Sequence, residues 1–263
     1  MLGDVLSITL LPSGSTGSSY LVATGSGRFV AKQFDHGSDA LLGPAEQFAL
    51  LGVLADVGIA PRPIAFDEGA RVLVTEFLEG AAPLSSESLR RPGCIEAAAR
   101  CLLRLHAVDV DVPRFAPAVY AERYVANAGG PQSLSKRDRE RHEELRDLAL
   151  AFDGHPATLC HNDLLAENLL VGDDGLKLID FDYAVTAPPV VDLASLVVMN
   201  DFSEGETSAL LDAYFGCQVP SLPLEFAKVK RVVRLLAHFW ALASGDAGAA
   251  IVARYRIEDD RSK

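Results

Sequence analysis

Apolar and polar positions alternate through the N-terminal part of the chain and recur at helical spacing through the rest. Val5 to Leu11, Tyr20 to Ala23 and Arg28 to Phe34 read as strands, the last two separated by Gly25, Ser26 and Gly27. Strands joined so closely make an antiparallel sheet. From Pro44 to Val57 the residues Ala45, Phe48, Ala49, Leu51, Leu54 and Ala55 return near every third or fourth place, with proline at the first turn and Gly58 just past the end. That spacing predicts one amphipathic helix. Pro61 and Pro63 break the chain before two more strands, Pro63 to Asp67 and Arg71 to Phe77, around a turn at Asp67, Glu68, Gly69 and Ala70.

Beyond Glu79, Gly80 and Pro83 the period changes to that of helices: Ile95 to Ala107, Asp138 to Phe152, Val190 to Asn200, Ser203 to Phe215 and Leu224 to Ser244. Ser203 with Glu206 has the form of a capping box, and Gly245 is placed to stop the last helix. The one β interruption expected here is a hairpin over Asn168 to Ile179, with Leu169 to Val171 and Leu176 to Ile179 flanking Gly172 to Gly175. No internal repeat or low-complexity tract appears. The pattern is α+β in two parts, 1–78 and 79–263.

Composition narrows the function. With 263 residues, 49% hydrophobic and 23% charged, the chain is of ordinary globular make-up. Its net charge of −12 argues against a broad grip on nucleic acid or an anionic membrane. The basic stretch Lys136 to Arg146 is interleaved with Asp138, Glu140, Glu143 and Glu144 and reads as a solvated helix face. Cys94, Cys101, Cys160 and Cys217 lack CxxC spacing, so neither a zinc site nor a disulfide framework is expected. The N-terminus lacks a basic region before its apolar stretch, and no apolar run reaches the ~18 residues of a membrane span. A cytoplasmic protein is expected; oligomeric state is not readable.

Candidate chemistry gathers around the hairpin. Asp163 falls in a loop before its first strand, Asn168 at that strand's start, and Asp180 at the end of the second, so the hairpin returns Asn168 and Asp180 to one end. Mg²⁺ accepts such oxygen ligands together with substrate phosphates, and a third carboxylate nearby can take a hydroxyl proton.

His161-Asn162-Asp163, Asn168 five residues on, and Ile179-Asp180-Phe181-Asp182-Tyr183-Ala184 resemble the catalytic and metal loops of the aminoglycoside phosphotransferase and choline/ethanolamine kinase family. Asp192, Leu193 and Ala194 fit as well, and Asn200 to Ser203 with Ala213 to Gly216 is similar to bacterial choline kinases. The resemblance implies a bilobal protein-kinase-like fold, with a small antiparallel sheet and one helix in the N-lobe and a larger, mainly helical C-lobe. It makes Asp163 the catalytic base, Asn168 and Asp180 the Mg²⁺ ligands, and His161 and Asp192 structural supports. Lys32 would hold the ATP phosphates and Glu46 would orient it through an ion pair. Ser13 to Ser19, with Ser15, Thr16 and Gly17, would cover the phosphates, and the hinge Thr75 to Glu79, with Glu76, Phe77 and Leu78, would meet adenine. His106 reads as a packed structural histidine.

The implied acceptor is a small alcohol, choline or ethanolamine first, an aminoglycoside or thiamine otherwise; a silent nucleotide-binding protein of the same fold is the non-enzymatic alternative. Trp240 lies where choline kinases place a tryptophan against the quaternary ammonium, Tyr183, Phe202 and Tyr214 are further aromatics, and Asp182 is a carboxylate that either faces the acceptor or forms a salt bridge within the C-lobe. One residue departs from the pattern: Met199 stands where choline kinases usually carry glutamate.

Overall fold

The computed structural model describes residues 3–11, 16–36, 40–152, 155–216 and 225–245. Its N-terminal part is an antiparallel sheet of five strands, β1 (Val5–Leu10), β2 (Gly17–Thr24), β3 (Gly27–Phe34), β4 (Pro63–Asp67) and β5 (Val72–Glu76), in the order β1-β2-β3-β5-β4. The register sets Ser19, Lys32 and Leu73 side by side across three strands. Gly17 is required where β2 meets β3: a Cβ there would lie 2.2 Å from the Gln33 carbonyl oxygen, a distance no side chain tolerates.

Helix α1 (Pro44–Asp56) packs on β4 and β5. It starts at proline, which loses no needed N–H in the first turn, and buries Pro44, Gln47, Leu50, Leu51 and Leu54. The three-and-four spacing of that set defines its inner face.

The C-terminal part holds α2 (Ser86–Leu89), α3 (Pro92–His106), α4 (Pro117–Asn127), α5 (Lys136–Ala149), α6 (Val190–Met199), α7 (Glu204–Phe215) and α8 (Phe226–Ala243). Helix α3 turns Ile95, Ala98, Ala99, Leu102, Leu105 and His106 inward and packs on α7, while α8 packs on α4, α5 and α6. The Ser203 capping box forms as its sequence indicates, with Ser203 Oγ accepting from Glu206 N and Glu206 accepting from Ser203 N at 2.7 Å. Only Leu145 of α5 is buried, and its acidic side takes Arg231 of α8 on Glu144 at 2.7 and 2.8 Å and His238 on Asp138 at 2.8 Å. The interleaved charges of this stretch thus partly serve to fasten α8.

Two features go beyond the sequence pattern. Helix α4, with Pro117, Tyr120, Ala121 and Val125 buried, fills a stretch to which no element was assigned. The hairpin β8 (Leu169–Gly172) and β9 (Gly175–Leu178) is not the sole β element of this part. The two-residue strand β6 (Ala82–Pro83) adds to β8, and β7 (Thr158–Cys160) pairs antiparallel with β10 (Val185–Ala187). Strands of two or three residues carry too little alternation to be seen in sequence.

One apolar cluster runs between the two parts, from Leu50, Leu54 and Ile59 to Leu102, Leu164, Leu169, Leu178 and Phe181. A second lies among α4, α5, α6 and α8, around Leu145, Val191, Val232 and Phe239. Among the described residues no helix is long and apolar enough to cross a membrane.

Candidate active site

The segment between β7 and β8 is a loop held from below. Asp192, fully buried in the first turn of α6, accepts the backbone N–H groups of His161 at 2.9 Å and Asn162 at 2.8 Å. It also meets His106 Nε2 at 3.0 Å, and His106 Nδ1 lies 2.7 Å from the Tyr214 hydroxyl of α7. Cys160 approaches the same histidine, but burial and Asp192 push its thiol well up, so it stays protonated. His106, Cys160 and Asp192 are therefore a packed hydrogen-bonded group, in keeping with a structural histidine.

His161 joins the two halves of the site. Its Nδ1 accepts from Asp163 N at 3.3 Å and its Nε2 donates to the Ile179 carbonyl at 2.8 Å, which fixes the neutral Nε2–H tautomer. Burial lowers its pKa, in agreement. Asn162 and Asp180 both hold positive φ, 64° and 67°, conformations that asparagine and aspartate tolerate better than other side chains. Asn200, at the end of α6, completes the support: it accepts from Ala166 N at 2.9 Å and donates to Leu164 O and Leu196 O, each at 2.8 Å. The sequence reading assigned no such role to Asn200 and none to the His106–Tyr214 contact, because both depend on which loop the helices meet.

The functional side chains converge above this support. Asn168 Nδ2 donates to the Asp163 carbonyl at 2.9 Å and to Asp163 Oδ2 at 3.2 Å. Asp163 has its pKa pushed up to about 7 by burial first, then by the charges of Asp180 and Asp182. Burial and Asp182 also raise the pKa of Asp180, against the pull of Lys32. Lys32 Nζ lies 2.5 Å from Asp180 and 2.6 Å from both oxygens of Asp182. Two carboxylates, Asp180 and Asp182, thus face one lysine, and a third, Asp163, lies within the reach of their charges. The excess negative charge, the all-oxygen donor set and the Asn168 carbonyl oxygen left over from the amide's two bonds fit a hard divalent cation such as Mg²⁺.

Two sequence expectations need correction. Glu46 does not pair with Lys32: it is exposed and its carboxylate accepts from Gly43 N at 2.8 Å, capping its own helix. The inward position is the next one, where Gln47 is buried and donates to Asp182 Oδ1 at 2.5 Å. The apolar stripe read from the sequence, Ala45, Phe48, Ala49, Leu51, Leu54 and Ala55, is not the buried one: Ala45 and Ala49 are exposed, and the inner face carries Pro44, Gln47, Leu50, Leu51 and Leu54. Asp182 likewise does not face an acceptor. It is buried against the N-terminal part, held by Lys32, Gln47 and the Thr16 hydroxyl, and its carbonyl accepts from Leu41 N at 2.8 Å and Leu42 N at 3.2 Å.

The remaining predicted residues fall as follows. Thr16 is buried at the site and Gly17 begins β2; Ser15 lies outside the described residues. Glu76 ends β5, with its N–H on Arg62 O and its carboxylate on Arg62 N. Phe77 N donates to Arg28 O, the Arg28 guanidinium lies 4.5 Å over the Phe77 ring and pairs with Glu79, and Leu78 O accepts from Ala81 N. The Tyr183 carbonyl accepts from Asn162 Nδ2 at 3.2 Å, next to Asp163. Trp240 is half-buried near the end of α8, where its carbonyl accepts from Ser244; no described contact joins its ring to the carboxylate group.

A strand-rich lobe carrying a lysine, closed over a helical lobe carrying Asp163, Asn168 and Asp180, defines a protein-kinase-like phosphotransferase fold. The chain belongs to the phosphotransferase enzyme family, APH, whose model matches residues 7–224. It is similar to the crystal structure of choline kinase LicA from Streptococcus pneumoniae, with a TM-score of 0.79 and 26% identity, covering 96% of this chain and 91% of that one. It is 28% identical over 154 residues to protein LicA of Haemophilus influenzae, covering 56% of this chain and 45% of LicA. A homoserine kinase of Mesorhizobium japonicum is 28% identical over 244 residues, covering 81% of this chain and 72% of that protein. The chain spans about half the length of the curated LicA relatives it matches.

Proposed function

We propose that the chain is a Mg²⁺- and ATP-dependent small-molecule kinase that transfers the γ-phosphate to an alcohol, with choline or ethanolamine as the first acceptors to test. The observation that carries the reading is the convergence of Asp163, Asn168, Asp180 and Lys32 on one point. A crystal structure of LicA in complex with AMP, 26% identical and with a TM-score of 0.79, supports a nucleotide as the donor.

In this reading Lys32 holds phosphate oxygens, Asn168 Oδ1 and Asp180 hold Mg²⁺, and the backbone of the Glu76 to Leu78 segment meets adenine while Thr16 and Gly17 edge the phosphates. Bound Mg²⁺ supplies charge for the phosphates. Asp163, with a pKa near neutral, takes the acceptor hydroxyl proton as the acceptor oxygen bonds to the γ-phosphorus and the bond to the β-phosphate oxygen breaks, releasing ADP. Tyr183, beside the catalytic loop, and Trp240 are the aromatic candidates for a cationic acceptor.

The breadth of the homoserine kinase match, 81% of the chain, favours a second acceptor, an amino alcohol bearing a carboxylate. Phosphorus NMR of reactions with choline, ethanolamine, homoserine, thiamine and one aminoglycoside separates these. One new phosphate ester, formed only with Mg·ATP, is expected; ATP left intact with the whole panel would count against the kinase reading.

A further inference from the structure

Gln47 occupies a place the chemistry of its neighbours makes selective. Its side chain is 2% exposed, and its Nε2 faces two acceptors, the Leu42 carbonyl at 3.1 Å and Asp182 Oδ1 at 2.5 Å. A carboxamide nitrogen has two hydrogens and satisfies both; an ionised glutamate there could donate to neither, and leucine would leave both unpaired. The same Asp182 carboxylate lies 2.6 Å from Lys32 Nζ through each oxygen, and its backbone carbonyl pins Leu41 and Leu42 at the approach to α1. Glu46, the acidic residue of the helix's first turn, is occupied in capping and exposed.

We propose that Gln47 is a positioning residue for Lys32: its amide fixes the Asp182 carboxylate, and that carboxylate, in place of a helix glutamate, sets the ammonium group for the phosphates of the nucleotide. The inference rests on the Mg·ATP kinase reading. In this arrangement the helix acts on the lysine through a residue of the other lobe, so α1, Lys32 and the Asp180 to Asp182 segment are set as one unit.

The test is a double-mutant cycle of Gln47→Glu and Asp182→Asn, read by calorimetric binding of a non-hydrolysable Mg·ATP analogue and, separately, of adenosine. Each single change is expected to weaken analogue binding by about tenfold. The double variant exchanges amide and carboxylate across the same hydrogen bond, so the pair can bond again with donor and acceptor reversed, and is expected to bind at least ~5-fold better than the product of the two single effects. Adenosine, which lacks phosphates, should bind all four proteins alike. A cycle that closes multiplicatively, or adenosine affinity that falls in parallel with the analogue, overturns the proposal and leaves Gln47 a packing residue. Gln47→Leu supplies a second reading if the glutamate variant does not fold: analogue affinity equal to wild type would also overturn it. Because these readouts are equilibrium binding, absence of turnover with every acceptor would fail the kinase reading without deciding the cycle.

Discussion

Asp163 pays for its position beside Asp180 and Asp182 in the metal-free protein. Its folded pKa, about 7, exceeds the ordinary aspartate value of 3.8, so the folded chain keeps a proton that the unfolded chain releases as pH rises. The stabilising contribution of that proton is present at low pH and lost as pH rises through about 7. Asp163→Asn removes the charge while keeping the shape. Without metal, the variant should therefore melt above wild type at pH 8, with the gap narrowing toward pH 5. His142, His161 and His238, whose pKa values burial lowers, act in the opposite sense but equally in both proteins. Calorimetric scans across that range check the difference; a gap independent of pH would mean Asp163 is not held near a neutral pKa. Asp192 is a second single-residue test. Asparagine there keeps one acceptor for two backbone N–H groups and reverses one hydrogen bond, so Asp192→Asn should cost ~2–4 kcal/mol in urea unfolding.

Among the elements, α6 does the most for the site. Its first turn carries Asp192 beneath His161 and Asn162, and its end carries Asn200 beneath Leu164 and Ala166, so both ends of one helix grip one loop. Asn200→Ala should cost ~2–3 kcal/mol, since Ala166 N and Leu164 O lose a partner in a buried place, and should lower kcat more than it raises the KM for ATP. Unfolding and steady-state kinetics on the same preparation check both. Much of this level was legible in sequence. The strands of the first sheet, α1, α3, α6, α7 and the β8–β9 hairpin announce themselves by period, proline and glycine, and Asp163, Asn168 and Asp180 by spacing at the ends of that hairpin. The outward facing of Glu46 was not legible from the apolar residues, because the helix turns Ala45 and Ala49 outward and buries a glutamine: the set Pro44, Gln47, Leu50, Leu51 and Leu54 leaves position 46 on the outer side. The facing of Asp182 was not legible, since its partners Thr16, Lys32 and Gln47 lie more than a hundred residues away. The pairing of β7 with β10 was hidden by the shortness of both strands.

Across the whole molecule, polar contacts and a shared apolar cluster tie the sheet lobe to the helical lobe at the site itself. Lys32 with Asp180 and Asp182, Leu41 and Leu42 with the Asp182 carbonyl, and Leu178 N with Ile59 O at 2.8 Å span the junction beside Leu54, Ile59 and Leu178. Nucleotide phosphates meeting Lys32 would compete with the two aspartates for it, so lobe geometry and phosphate binding are linked through one ammonium group. Lys32→Met should consequently weaken the ATP analogue by at least ~10-fold while leaving adenosine binding within ~2-fold. The central claim is that Asp163 serves the transfer of phosphate and not the holding of nucleotide. The measurement that tests it most directly is ADP release from Mg·ATP with the preferred acceptor, by wild type and Asp163→Asn, alongside Mg·ATP affinity for both. Turnover is expected to fall by ~10²–10⁴ with affinity within about threefold. Asp163→Asn turning over at the wild-type rate would contradict it.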